Sequence, residues 1–581
     1  MKKINIVNHT HWDREWYFTT MDSLVLSDQV FTEALDELES NKEAKFCLDG
    51  QSSILDDYLS IRPEKLDQIK KFVSEGRLFI GPWYTQTDAQ LVSGESIIRN
   101  LSMGINDISS IGTHMKVGYL PDTFGFNPQM PTILNTCDID NIIFWRGINY
   151  DKHVKCPYMI WKSMSGEEVI AANLVDGYGS IPRLLTNDEF RENKLFPLAE
   201  KIKQCTELDE ILIPIGNDQV EITNNLNDKI SETNKYSQDE YKQSSYEDFI
   251  QYLRENKEKL ETYEGEFREP RTGRVHKTIG SVRYDIKKMN YDVEQTLLNR
   301  VEPLYAIGKS LGIDISKKLI EKAWKQIMEG QAHDGMAGCI TDKVAEDVLY
   351  RMRQAKEICD GLENLVKKRI AEGVGVKENE VIVFNTLPHK HVGYKIIEFM
   401  SSNRNVSLKD VEDFTIISVE EFKERKNILL EAPEGNRYIN EPAYCKITAL
   451  AKVELPPMGY KVFTVVDSEC NEIKVDKNLE IKNKNYTIFV HDNKLCIKLK
   501  NGKVVENFIE FENCGNDGDT YDFSTLRNDE NILFNVIEGI KESSQNIERL
   551  VLSGEYMLPK TLEDRITKEN MDKLNVKLEI S

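Results

Sequence analysis

At 581 residues the chain exceeds what one hydrophobic core supports, because cores stop growing near ~250–300 residues, so about three domains are expected. With 40% hydrophobic and 30% charged residues it has an ordinary globular balance, which excludes a disordered or fibrous chain. The formal net charge of -22 argues against a nucleic-acid surface, which needs clustered basic residues, and suits a neutral substrate or a small cation.

The opening Met1-Lys2-Lys3 is basic, but the apolar run after it is too short and interrupted for a signal peptide. With no apolar stretch of about 18 residues, no membrane partner is expected and the default location is the cytoplasm. Ten cysteines are scattered without a C-x-x-C pair and read as reduced, mostly buried thiols.

Through residues 1–270, short apolar runs alternate with helical patterns: Ile4–Val7, Phe46–Leu48, Leu78–Ile80, Val117–Leu120, Ile142–Trp145 and Ile211–Ile215. That alternation predicts an α/β domain with a largely parallel sheet, irregular and barrel-like, whose ligands bind beyond the carboxyl ends of its strands. Over 271–372 the period changes to three and four residues, in Val293, Leu297, Val301 and Leu304, then in Ile320, Ala323 and Ile327 after a capping Ser316, then from Val344 to Leu365. This predicts a three-helix bundle. From 373 to 581, runs such as Val381–Phe384, Lys446–Leu455, Tyr460–Val466 and Ile488–His491 predict a β-sandwich, and the last residues read as the middle of an element, so the sandwich is expected to be incomplete.

Chemistry gathers where strands end. His9-Thr10-His11-Trp12-Asp13 follows the first strand, and residues two apart on an extended segment share a side, so His11 and Asp13 can converge, as could His9. Imidazole plus carboxylate suits a borderline divalent metal, zinc above all. Asp122 follows another strand between Pro121 and Gly125, where a turn-capping role is the plain alternative. Asp218 stands in Gly216-Asn217-Asp218 after a further strand. His333-Asp334 stands at a helix end, where a histidine compensating the helix C-terminus is the plain alternative. Two histidines and two aspartates make a four-ligand site with room for substrate hydroxyls, and a further Asp is left as a general acid.

His11-Trp12-Asp13, Tyr119-Leu120-Pro121-Asp122-Thr123-Phe124-Gly125, Gly216-Asn217-Asp218 and Ala332-His333-Asp334 resemble, in order and context, the signatures of glycoside hydrolase family 38 α-mannosidases. Trp12–Phe18, Gly81–Asp88 and Arg274–Ser281 are more similar to its bacterial branch, which includes mannosylglycerate hydrolases. The resemblance implies one zinc ion per chain on His11, Asp13, Asp122 and His333, the last from the helical domain, and a homo-oligomer is open. It implies Asp122 as nucleophile, Trp16 under the sugar ring, Phe124 lining the pocket and Asp334 on a sugar hydroxyl, with Arg146 as a polar wall. Asp218 is the implied acid/base, although the family's paired acids are here Asn217-Asp218. The loop Asn516–Asp522 resembles the place where the β-domain lends a tyrosine, Tyr521, with a hydrated acidic turn or an imperfect calcium loop as alternatives.

The implied activity is a retaining, exo-acting α-mannosidase on mannosylglycerate or short α-mannosides, working by zinc-assisted double displacement. The rival readings are a zinc-dependent carbohydrate deacetylase using metal-bound water and an inactive sugar-binding relative.

Overall fold

The computed structural model describes residues 1–469, 473–544 and 547–581, so Cys470 lies outside the described residues. Cys47, Cys339, Cys445 and Cys496 are buried thiols, whereas Cys514 is exposed. Two compact units divide the chain: Met1–Leu297 with Ser316–Cys359 and Asp519–Asp522, and Leu298–Ile315 with Asp360–Gly518 and Phe523–Ser581.

The first unit is built on β1 (Lys3–Thr10), β2 (Phe46–Leu48), β3 (Leu78–Phe79), β4 (Gly118–Leu120), β5 (Asn141–Phe144), β6 (Tyr158–Lys162), β7 (Glu168–Asn173), β8 (Glu210–Ile215), β9 (Glu240–Gln243) and β10 (Glu261–Glu264). One sheet runs β3-β2-β1-β8 with β9 also on β1, and a second runs β10-β6-β7-β5-β4. All these pairings are parallel except β6 with β7. Ile4, Ile6 and Val7 are all buried although neighbours on a strand face opposite ways, which marks β1 as covered on both faces. Pro214 sits within β8, and the position of β8 at the end of its sheet makes the missing N–H tolerable.

The periodicity expected six strands here and missed β6, β7, β9 and β10. The run Tyr158–Lys162 is buried at four consecutive positions and so shows no alternation, and Glu240–Gln243 is polar. The helical middle region is also more broken than three plain helices. Tyr284–Thr296 passes through a π-helical turn, Leu297–Val301, into Glu302–Ser310, and Lys318–Gly330 is followed by a separate short helix, His333–Ala337, before Asp342–Val374. Ser316 Oγ accepts from the Lys318 N–H at 3.3 Å at the expected start of the second.

In the second unit, antiparallel sheets dominate. Tyr444–Leu455 pairs with His391–Ser401 and with Phe414–Phe422, and Gly459–Asp467 pairs with Glu380–Asn385 and Val406–Leu408. These two sheets contribute to one core that includes Ile447, Ala449, Ala451, Leu408 and Phe463. A further four-stranded antiparallel sheet ends the described chain at Met571–Ile580.

Candidate active site

The carboxyl ends of β1, β2, β4, β5 and β8 each deliver a polar side chain to one buried place in the first unit. Past β1, the His11 N–H donates to the Asn217 carbonyl at 3.0 Å and the His11 carbonyl accepts from the Gln219 N–H at 2.9 Å, so His11 and Asp218 pair side by side. The approach requires Gly216, since a Cβ there would meet the His9 carbonyl oxygen at 2.1 Å.

Both candidate histidines are fixed at Nδ1. The His11 Nδ1–H donates to Asp49 Oδ1 at 3.0 Å, and the His333 Nδ1–H to the Gln86 carbonyl at 3.2 Å. Because each partner is an acceptor, the proton sits on Nδ1 and each Nε2 is left facing inward. His11 Nε2 lies 3.2 Å from Asp13 Oδ1, and His333 Nε2 lies 3.5 Å from Asp13 Oδ1 and 3.4 Å from Asp122 Oδ2.

His11, Asp13 and His333 bring one ligand atom each within 4.8 Å of one another, a group that could hold a metal ion. Asp122 is outside that trio. The two Nε2 atoms are buried without a hydrogen-bond partner and face these carboxylate oxygens, an arrangement that one shared ligand would satisfy. Two imidazole nitrogens and a carboxylate oxygen fit a borderline divalent cation.

The field inside this cage favours positive charge. Burial opposes a proton on His11, but Asp49 and Asp13 outweigh it and raise the imidazole well above its ordinary value. At His333 burial is likewise outweighed, by Asp334, Asp122 and Asp13, and the imidazole rises to about 9. His9, which might have joined the cage, does not: its Nε2 faces the Tyr178 carbonyl at 3.1 Å, and burial lowers it to about 4.

The two candidate catalytic carboxylates are treated differently. Asp122 Oδ1 accepts from Arg146 Nε at 2.8 Å and faces Nη2 at 2.6 Å. Burial raises the Asp122 carboxyl, yet Arg146 and His333 together hold it well below the usual carboxylate range. Arg146 is therefore a direct partner of Asp122. It is held in turn by the Asp122 and Arg274 carbonyls at 3.1 and 3.0 Å and packs over Trp145 and Phe124. Burial also raises Asp218, with His11 opposing and Asp13 adding, and the Tyr178 hydroxyl donating to Oδ1 at 2.9 Å opposes without reversing it.

Around this centre stand the other expected residues. Trp16 Nε1–H donates to Tyr521 Oη at 2.8 Å, as does the Tyr17 hydroxyl at 3.1 Å, and Tyr521 belongs to the same compact unit. The turn carrying it is an Asx turn: Asp519 Oδ1 accepts from the Tyr521 and Asp522 N–H groups at 2.9 and 3.0 Å. Phe124 packs edge-on to His333 and joins Ile279, Ala337 and Cys339. Asp334, buried, receives the Cys339 thiol at 3.0 Å, and burial leads the rise of its carboxyl to about 8.

His333 opens the helix His333–Ala337 rather than closing one, so the reading of it as a dipole-compensating C-terminal histidine does not hold. Asp49, Gln51, Gln86 and Tyr178 carried no role in the sequence reading. Asp49 was accessible to the rule that found Asp122, since it follows β2 directly.

Residues 1–266 match the family model described as Glycosyl hydrolases family 38 N-terminal domain, and residues 274–372 the Alpha mannosidase middle domain. The chain belongs to glycoside hydrolase family 38. Members of this family are generally metal-dependent, in keeping with the trio described above. A "Putative mannosylglycerate hydrolase" of Halalkalibacterium halodurans is 30% identical over 374 residues, covering 61% of this chain and 41% of the relative. "Alpha-mannosidase 2C1" of Homo sapiens is 24% identical over 408 residues, 67% of this chain and 37% of the relative. The chain thus spans less than half the length of these curated relatives. In fold, the structure titled "The crystal structure of an alpha-mannosidase from Enterococcus faecalis V583" superposes on all of this chain and 72% of that one, with a TM-score of 0.86 at 22% identity. Among the described residues, no helix is long and apolar enough to cross a membrane.

Proposed function

We propose that this family 38 glycoside hydrolase removes terminal α-linked mannose with retention of configuration, acting on mannosylglycerate or short α-mannosides. The observation that carries the reading is the pairing of a carboxylate held charged by Arg146, Asp122, with a carboxyl biased toward its protonated form, Asp218, beside one His/Asp/His trio.

In this reading Asp122 attacks the anomeric carbon while Asp218 gives its proton to the leaving oxygen. The bond to the aglycone breaks as the bond to Asp122 forms, which inverts the centre once. Water, deprotonated by Asp218, then displaces Asp122 and inverts it again. Such a double displacement uses carboxyl groups about 5–5.5 Å apart. Trp16, held by Tyr521, supplies an apolar face for the sugar, and Asp334 a polar contact to a ring hydroxyl.

His11, Asp13 and His333 would hold zinc, with Asp122 at its edge, and the ion would supply Lewis-acid polarisation of sugar hydroxyls there. The test is product stereochemistry: α-mannose released first, followed by NMR on a panel of α-mannosides, supports the reading. Release of β-mannose, or of acetate from acetylated sugars in place of mannose, refutes it.

A further inference from the structure

We propose that Asp49, Gln51 and Gln86 are positioning residues that set both candidate ligand histidines, ahead of any metal, with Nδ1 protonated and Nε2 turned toward Asp13. The inference rests on the metal reading of the trio given above. Asp49 is fully buried, and among the described residues its ion-pair partner is His11. Both carboxylate oxygens are engaged: Oδ1 accepts from His11 Nδ1–H at 3.0 Å and Oδ2 from the Gln51 amide at 2.7 Å. The same Gln51 nitrogen donates at 2.8 Å to the carbonyl of Trp12, the residue between His11 and Asp13.

Gln86 closes the ring on the other side. Its side-chain amide donates to the Asp49 carbonyl at 2.5 Å and the Tyr119 carbonyl at 3.3 Å, while its own backbone carbonyl accepts from the N–H and Nδ1–H of His333 at 2.9 and 3.2 Å. One buried residue therefore joins the His11 support to the His333 support. Asp49 also adopts φ +46, a left-handed conformation unusual for a non-glycine residue, which aims its carboxylate at the imidazole. A free imidazole exchanges its proton between two nitrogens. An acceptor at Nδ1 removes that freedom and makes Nε2 a better donor atom.

The test is the zinc dissociation constant of the full chain, measured by competition with a chromophoric chelator, for the wild type, Asp49→Asn, Gln51→Met and Gln86→Met. Asp49→Asn is expected to bind zinc roughly 10–100-fold more weakly, the usual loss when an outer-shell partner of a ligand histidine is removed. Its cobalt(II)-loaded form should show a shifted visible absorption band. The two glutamine variants should weaken binding in the same direction. A merely structural role would instead lower the thermal midpoint of the metal-free protein and leave the zinc constant and cobalt band unchanged, and that result overturns the proposal. If Asp49→Asn fails to fold, Gln51→Met decides by the same criterion. A wild type that binds no zinc removes the metal reading and this inference with it. Wild-type binding matched by all three variants removes this inference alone.

Discussion

The β4–β5 end of the site and the β1–β8 end handle a buried carboxyl group in opposite ways. At the first, Asp122 faces a guanidinium through two nitrogens and is kept ionised against the effect of burial. At the second, burial raises Asp218, the His11 charge and the Tyr178 hydroxyl oppose it, and Asp13 and Asp122 add to it, so burial prevails. Two residues of the same type, two and three positions beyond a strand end, are thereby pushed toward different protonation states. Separated ionisation of this kind is what divides attack from proton transfer.

Removing each carboxylate in turn breaks the comparison most severely. Asp122→Asn should lower kcat by a factor of at least ~10³ on every mannoside, because no other group can form the glycosyl bond. Asp218→Asn should cost about 10²–10⁴-fold on substrates with poor leaving groups and far less on a nitrophenyl mannoside, which departs without a proton. Equal losses on both substrates in the Asp218 variant would sink the division of labour. Arg146→Met should follow with a loss of about 10²-fold. With the guanidinium gone, burial dominates at Asp122, so its pKa rises and the acidic limb of the kcat/KM profile should move to higher pH. An unmoved acidic limb would mean that Arg146 does not govern the ionisation of Asp122.

Much of this site was legible because strand ends announce it. His11, Asp13, Asp122 and Asp218 each follow an apolar run, and the rule that ligands bind past the carboxyl ends of parallel strands selects them. What was not legible depends on contacts distant in sequence. The orientation of His333 depends on the backbone carbonyl of Gln86, which carries no side-chain signature, and the charge state of Asp122 depends on Arg146, from a neighbouring strand. His9 has the same spacing to His11 as His11 has to Asp13, yet it turns away to Tyr178, because a strand period names a face and not a destination. In the fold, β6 and β7 were hidden because both faces are buried and no alternation survives. Tyr521 could be suggested only by resemblance, since nothing local in an acidic turn names a tryptophan some 500 positions earlier.

The metal trio sharpens the same contrast through pH. Below about 9 the His333 imidazole holds a proton that zinc must displace. Apparent zinc affinity should therefore rise with pH up to that value, by roughly tenfold per unit for each proton released. Stability of the metal-free protein should run the other way. The raised folded value gives His333 a contribution that is complete below its ordinary 6.5 and lost as pH climbs through about 9. Thermal midpoints between pH 6 and 8.5 should then fall for the chelator-treated protein and hold or rise for the zinc-loaded one. Parallel trends in the two forms would show that no proton is exchanged for metal at the trio.

The smallest expected effect lies at Tyr178, whose hydroxyl is, among the described residues, the one side-chain donor on the raised Asp218. Tyr178→Phe removes a hydrogen bond that favours the charged form, so the Asp218 carboxyl should rise further and the alkaline limb of kcat/KM should shift to higher pH. The phenyl ring still packs against His11, which it meets at 4.7 Å, so the trio keeps that wall. One lost hydrogen bond is worth about 0.5–1.5 kcal/mol, which limits the change in rate at neutral pH to about tenfold. A shift of the alkaline limb to lower pH would contradict the assignment of Asp218 as the group that must be protonated. A shift of the acidic limb instead would move Tyr178 to the Asp122 side of the comparison.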